Sequence, residues 1–202
     1  MKFLKKEVRD WMITRYREYL KFIDERLSKM FDEQKPFIKC KKGCAYCCKE
    51  GEYPMSELEY VNLMFQYETL DDEKKQIIQN NISELLKNER PKYYTCPFLI
   101  NNECSVYPSR AIICRAFGLL SFNEKGKKKV PFCVDLGLNY SNVYDKEQDK
   151  IVSLADDGTE PVAHNIERSF LRGANFEKEF NIFFGEDKTL YEWLEEDFGV
   201  ME

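Results

Sequence analysis

The chain has 202 residues, of which 43% are apolar, 14% aromatic and 33% charged, and its net charge is −5. That length suits a single domain that can bury a real core, while a mildly acidic balance argues against nonspecific nucleic-acid binding. No apolar run approaches the ~20 residues that cross a bilayer, and charges interrupt the start "MKFLKKEVRDWM" too early for a secretory leader, so a cytoplasmic protein with no membrane partner is expected.

Residues 5–34 set Met12, Tyr16, Leu20, Ile23, Leu27 and Met30 at helical spacing, which predicts a long amphipathic helix ended by Pro36. A dense cysteine stretch follows. Ser56 with Glu59 three residues on is a capping-box signature for a helix over about 57–68. Asp71 can cap a further helix over about 72–89, with Ile77, Ile78, Ile82, Leu85 and Leu86 on its buried side and Pro91 as its stop. "NNE" fits a tight turn between short extended pieces at 97–100 and 104–107. Pro108 suits the first turn of a short helix over about 108–117. Residues 119–160 read as irregular, with a hairpin around "NEKGKKK". Residues 163–184 carry a helical pattern weakened by Gly173, and Asp187 or Thr189 can cap a last helix holding Leu190, Trp193 and Leu194. The expected fold is mainly α, with little β beyond short hairpins. Residues 1–202 form one domain around a loop-rich, metal-stapled centre over about 38–135, wrapped by the N-terminal helix 5–34 and by C-terminal helices over about 163–198.

The chemistry lies in the cysteines. Cys40, Cys44, Cys47 and Cys48 fall within "CKKGCAYCC", and Cys96, Cys104, Cys114 and Cys133 follow, with none in the terminal helical segments. A reducing cytosol disfavours four disulfides. Isolated free cysteines are common as small core residues, but that does not explain a C-x3-C-x2-C-C run, and clustered reduced thiols point to metal. Thiolates must converge to about 2.3 Å from one centre, and Gly43 supplies the backbone freedom for such a turn just before Cys44. Nearby cations would offset the thiolate charge. Lys39, Lys41, Lys42 and Lys49 read as ordinary surface charge, whereas Arg110 and Arg115 are candidate contacts to a bound centre.

Four thiolates suit either zinc or an iron–sulfur cluster. Structural zinc is usually held by two C-x2-4-C pairs, whereas one dense run plus distant single cysteines resembles cluster-binding loops. The expected cofactor is therefore an iron–sulfur cluster, of the 4Fe–4S type, with zinc as the alternative. Adjacent side chains diverge in helix and strand alike. Cys47 is expected to share a centre with Cys40 and Cys44, with Cys48 pointing elsewhere. One site with spare cysteines and two four-thiolate sites both stay open. C-x3-C-x2-C with Tyr46 before the third cysteine also matches the radical S-adenosylmethionine loop. Against that stand the helical downstream pattern, the lack of a glycine-rich "GGE" element and the short remaining chain.

Together, "CKKGCAYCC" and "CPFLINNECSVYPSRAIICR" resemble the YkgJ-type cysteine-cluster family, the zinc- or iron-chelating CxxCxxCC domain, over about residues 38–135. The resemblance implies a metal-binding domain and carries directly to Cys44, Cys47, Cys48, Cys96, Cys104, Cys114 and Arg115. Some relatives sit in flagellin lysine-N-methylases, where an iron–sulfur cluster is implied. The first cysteine gap is three residues rather than two, which displaces Cys40. Ala111 stands where the family usually has proline, and Cys133 lies outside the matched blocks.

His164 is the only histidine and reads as structural. No P-loop or dinucleotide fingerprint is present. Asp156, Asp157 and Glu160 read as a solvated turn, the lysines at 127–129 as a solvated loop, and Tyr93, Tyr94, Phe98 and Tyr107 as packing around the site. The function expected is metal binding, in a role structural or accessory to a redox or protein-modification process, with a protein partner left open. The alternatives are an iron–sulfur enzyme of redox or methyl-transfer type and a thiol redox or metal-storage module.

Overall fold

In the computed structural model, residues 6–199 are described except 42, 88, 124 and 153–159, and the side chains of 168 and 169. Helix α1 (Lys6–Gln34) buries the middle of the expected stripe, Tyr16, Leu20, Ile23 and Leu27, joined by Ile13 and Tyr19, while Met12 and Met30 at its ends are half-buried. Pro36 does not stop the chain abruptly. It sits in the first turn of a 3-10 helix, Lys35–Phe37, where its missing N–H leaves no helical hydrogen bond unmade. A single turn, α2 (Tyr46–Lys49), follows, and then β1 (Pro54–Ser56), α3 (Glu57–Glu68) and α4 (Asp72–Leu86). α3 begins at the predicted capping box: the Ser56 hydroxyl accepts from the Glu59 amide, and the Glu59 carboxylate accepts from the Ser56 amide at 2.8 Å. The Asp71 carboxylate caps α4, accepting from the Lys74 amide at 2.9 Å. α4 ends ahead of Pro91, with Ile78 and Ile82 fully buried.

Strands β2 (Leu99–Ile100) and β3 (Glu103–Cys104) form the predicted hairpin, pairing Leu99 with Cys104 and Ile100 with Glu103. Its turn holds Asn101 at φ 51° and Asn102 at φ 63°. This double left-handed geometry matches strand twist, and asparagine tolerates it better than most residues. The helix expected over 108–117 is split into a 3-10 turn at Tyr107–Ser109 and α5 (Ile112–Ala116). Arg110 is extended between them, with ψ 148°. β4 (Ser121–Phe122) pairs with β5 (Lys128–Lys129), as expected around "NEKGKKK". A 3-10 helix at Phe132–Leu136 and the pair β6 (Tyr144–Asp145) and β7 (Lys150–Ile151) come next. The long C-terminal helical pattern breaks at Arg172 and Gly173 into α6 (Arg168–Leu171) and α7 (Ala174–Phe180). β8 (Asp187–Thr189) and α8 (Leu190–Phe198) close the chain. The fold is mainly α, and its strands are all short. One pairing is not a hairpin: β1 runs antiparallel to β8, with Pro54 opposite Thr189 and Ser56 opposite Asp187. Each of these strands ends in a capping box, Ser56 with Glu59 and Thr189 with Glu192, so the pair launches α3 and α8 together.

The chain forms two compact units. The first gathers Met1–Tyr19, Gly43–Arg115 and Ala174–Glu202; the second gathers Leu20–Lys42 and Ala116–Gly173. The first has a core of Met55, Tyr60, Leu63, Ile78, Ile82, Phe98, Leu190, Trp193 and Leu194, against which Cys96, Cys104 and Cys114 pack. Tyr60 stacks on Trp193 at 5.3 Å, and Tyr19 meets Phe180 and Phe184 edge-on. The second centres on Phe37, Leu120, Val134, Tyr140 and Val143. The buried Gln34 amide bonds both sides of Leu120, donating to its carbonyl at 3.2 Å and accepting from its amide at 3.0 Å. Among the described residues no helix is long and apolar enough to cross a membrane. Lys42, Asp156 and Asp157, named above, lie outside the described residues. The lysines at 127 and 128 are paired, with Asp149 at 2.5 Å and Glu160 at 2.6 Å, and His164 faces Glu33 at 3.0 Å.

Candidate metal centre

The cysteine turn is short enough that local backbone bonds fix it. Gly43 has φ +86°, a conformation that side chains rarely adopt, and the chain then winds into α2. The Cys48 amide donates to the Ala45 carbonyl at 2.9 Å. The turn then docks along the segment carrying the next thiol. The Cys96 amide donates to the Cys48 carbonyl at 2.7 Å, the Gly51 amide to the Tyr94 carbonyl at 3.4 Å, and the Thr95 hydroxyl to the Lys49 carbonyl at 3.3 Å. From Cys96 the chain turns into β2, whose hairpin partner carries Cys104. Cys114 rides on α5, and α5 is held by a residue from elsewhere: the Glu59 carboxylate, already closing the α3 capping box, accepts from the Ile112 amide at 2.8 Å. Glu59 is 2% exposed. Its second role lies 53 residues away in sequence and leaves no trace in any local motif.

These bonds bring five thiols of the first unit, those of Cys47, Cys48, Cys96, Cys104 and Cys114, into one electrostatic neighbourhood. The Cys47 and Cys48 sulfurs lie 4.0 Å apart, so the neighbours in the CC pair face each other and Cys48 does not turn away. The Cys47 thiol is pushed far above the ordinary range, first by the hydrogen bond it shares with Cys48 and then by burial. Burial pushes Cys96 up as well, reinforced by Cys104 and Cys114. Burial, then Cys104 and Cys47, push Cys114 up to about 12. Cys104 is raised by burial, with the Val106 amide and the Arg110 guanidinium pulling the other way. Each buried sulfur makes ionisation of the next harder, so thiolates can accumulate here only around a cation. That donor set fits a thiophilic metal. Among the described residues, no group of three or more Cys, His, Asp or Glu side chains is placed to hold a metal ion as it stands.

The remaining candidates are placed differently. Cys44, half-buried in the first unit, enters none of these bonds. Cys40 and Cys133 belong to the second unit, the former exposed and the latter buried. There Asn139 fixes the Cys40 backbone: its carbonyl oxygen accepts from the Lys39 and Cys40 amides at 2.8 and 3.0 Å, and its amide donates to Gly118 at 3.0 Å. Gly118 has φ +101° and lies so close that a Cβ would sit 2.9 Å from the Asn139 nitrogen. The two arginines separate as well. Arg110 lies over the Tyr107 ring at 3.8 Å, and its charge favours the Cys104 and Cys114 thiolates. Arg115 is buried and braces the preceding turn, donating to the carbonyls of Arg110 at 3.0 Å and Pro108 at 2.5 Å. Lys49 faces the Tyr46 ring and Lys39 bonds Ser141, while Lys41 is exposed. Tyr93 and Tyr107 are exposed, and Tyr94 and Phe98 are buried.

No curated protein and no solved structure significantly matches the chain. Residues 39–134, just under half of the chain, match the CxxCxxCC family model, described as "Putative zinc- or iron-chelating domain". That span holds all eight cysteines, including the five gathered thiols. Over that span the chain is similar to the zinc- or iron-chelating domain of the CxxCxxCC family.

Proposed function

We propose that the protein holds one thiolate-bound metal centre in its first unit, built from Cys47, Cys48, Cys96, Cys104 and Cys114. Our first reading of the occupant is an iron–sulfur cluster of the 4Fe–4S type. The observation that carries it is the origin of the donors: a two-cysteine turn plus three thiols from separate segments, rather than the two C-x2-4-C pairs usual for structural zinc, with four of the five thiols needed as ligands. Such a cluster would supply one-electron transfer or a rigid staple. Around it, the chain's own residues hold the sulfurs through the Cys48–Cys96 backbone bond and the Glu59 brace, and Arg110 offsets thiolate charge. Thiols kept reduced for this purpose imply the cytoplasm. The role we assign is structural or accessory to a redox or protein-modification process.

One observation favours zinc as the second reading. Two thiolates on one tetrahedral zinc, each about 2.3 Å from it, stand about 3.8 Å apart, and the Cys47 and Cys48 sulfurs are 4.0 Å apart. Anaerobic purification with visible absorption, metal analysis and acid-labile sulfide decides between them. Brown protein with iron and sulfide supports the cluster. Colourless protein with stoichiometric zinc supports the second reading. Neither metal at stoichiometric level, aerobically or anaerobically, refutes both.

A further inference from the structure

A tyrosine that no cysteine motif marks sits where the segments of the site meet. Tyr53 is 6% exposed, and its hydroxyl donates to the carbonyl of Cys47. Its ring lies against Gly51, where an added Cβ would overlap the ring atoms themselves. Its own carbonyl accepts from the Leu190 amide at 2.9 Å, at the start of α8. Its ring meets Tyr94 edge-on at 6.1 Å, and the Tyr94 hydroxyl in turn accepts from the Tyr191 amide at 3.1 Å. Tyr53 thus touches the cysteine turn, the segment leading to Cys96 and the first turn of α8. The thiols of Cys96, Cys48, Cys114 and Cys47 all lie within electrostatic reach of its hydroxyl.

We propose that Tyr53 is the positioning residue of the thiol centre, and that Gly51 is glycine so that the Tyr53 ring can lie under the turn carrying Cys47 and Cys48. This deepens the metal-centre reading and rests on it. α2 is one turn long and carries no side-chain cap. A helix that short does not hold itself together, so what orients its two sulfurs must come from outside. A neutral phenol does this without adding charge beside accumulating thiolates. Its hydroxyl bonds the backbone rather than a sulfur, which leaves both thiols free for metal. Groups that orient metal ligands from behind typically change metal affinity 10- to 100-fold when removed.

The test compares wild type, Tyr53→Phe, Gly51→Ala and a control, Asn139→Ala, which loosens the second unit. Three readouts are taken: release of zinc or iron to a chromogenic chelator, the thiolate–metal absorption band, and the rate at which Ellman's reagent modifies the thiols of the metal-free chain. Tyr53→Phe is expected to release metal about tenfold faster, to shift the band and to expose thiols to the reagent sooner, with Asn139→Ala unchanged in all three. Gly51→Ala is expected to act in the same direction, and to lose most of its effect in a Tyr53→Leu background, where there is no ring to displace. The proposal is overturned if Tyr53→Phe matches wild type in release, band and thiol reactivity. It is equally overturned if Asn139→Ala reproduces the change, since general loosening would then explain it. A wild-type protein that takes up neither metal refutes the metal reading, while thiol reactivity in the metal-free chain still decides whether Tyr53 holds the turn.

Discussion

The two units treat their cysteines in opposite ways. In the first, five thiols from four segments are gathered: the thiol of Cys47 is raised first by its hydrogen bond with Cys48, those of Cys96 and Cys114 first by burial and then by neighbouring thiols, and a backbone bond runs directly from Cys96 to Cys48. In the second, Cys40 is exposed with its backbone pinned by Asn139, and Cys133 lies within a 3-10 turn of that unit's core. Eight cysteines confined to less than half of a chain look like one population in sequence. Their surroundings divide them into a gathered set of five, a pair in another setting, and Cys44, which lies in the first unit outside that set. Spacing along the chain is thus a poor guide to which thiols are gathered: Cys40 is seven residues from Cys47, whereas Cys114 is 66 residues from Cys48.

The largest effect that could break this contrast is loss of metal. Serine at Cys96, Cys104 or Cys114 should empty the centre or cut its content severely. Cys47→Ser and Cys48→Ser should do so to similar extents, because their sulfurs face each other. Metal analysis of anaerobically purified variants checks this. An intact centre in Cys48→Ser beside an empty one in Cys47→Ser would restore a separate role for Cys48.

Next comes stability within the first unit. Glu59→Ala removes the capping-box carboxylate and leaves the Ile112 amide without its acceptor, both in buried surroundings. Two to three lost bonds of this kind should cost about 3 kcal/mol, read from denaturant unfolding, and should loosen Cys114 enough to speed metal loss. The counterpart in the second unit is Asn139→Ala. It removes one acceptor serving two amides and one donor to Gly118, and should cost about 2 kcal/mol while leaving metal content at the wild-type level. Metal loss in that variant would tie the two thiol sets together.

The smallest expected effect is at the start of α8. Thr189→Ala should destabilise by about 1 kcal/mol, because its hydroxyl and Glu192 close the second capping box. The Glu192 carboxyl is held down to about 2, first by the Thr189 amide, then by the Thr189 hydroxyl, with a smaller push from Arg90. Its folded value lies below the unfolded one near 4.5, so its contribution is present above about pH 4.5 and fades as pH falls toward 2. Acid unfolding of Glu192→Gln should lack that part of the slope.

Much of the frame was legible in sequence because it is local. The Ser56–Glu59 box, the Asp71 cap, the Asn101–Asn102 turn and the α1 stripe each depend on residues within a turn or two of one another, and each is present, although Met12 and Met30 at the ends of the stripe are only half-buried and the extended piece expected over 104–107 is a strand only at Glu103–Cys104. The misreadings have local causes too. Pro108 was compatible with a helix start, but Arg110 is extended, so α5 begins only at Ile112 under the outside Glu59 carboxylate. Gly173 did more than weaken a helix: the pattern breaks there into two. The pairing of β1 with β8 rests on three residues a side, too short for any alternation to show. At the site, the family signature marked the residues that could be ligands. It also set Cys40 and Cys133 apart, as departures from the family pattern. It did not mark the facing of Cys47 and Cys48, or the supports Tyr53, Glu59 and Asn139, which depend on contacts across long stretches of chain.

The central claim is that the metal centre belongs to the first unit's thiols and does without Cys40 and Cys133. Metal and acid-labile sulfide per chain, measured on the anaerobically purified Cys40→Ser/Cys133→Ser double variant, test it most directly. Full wild-type content with an unchanged absorption spectrum is expected; a content cut to half or less, or a changed spectrum, would place Cys40 or Cys133 at the centre.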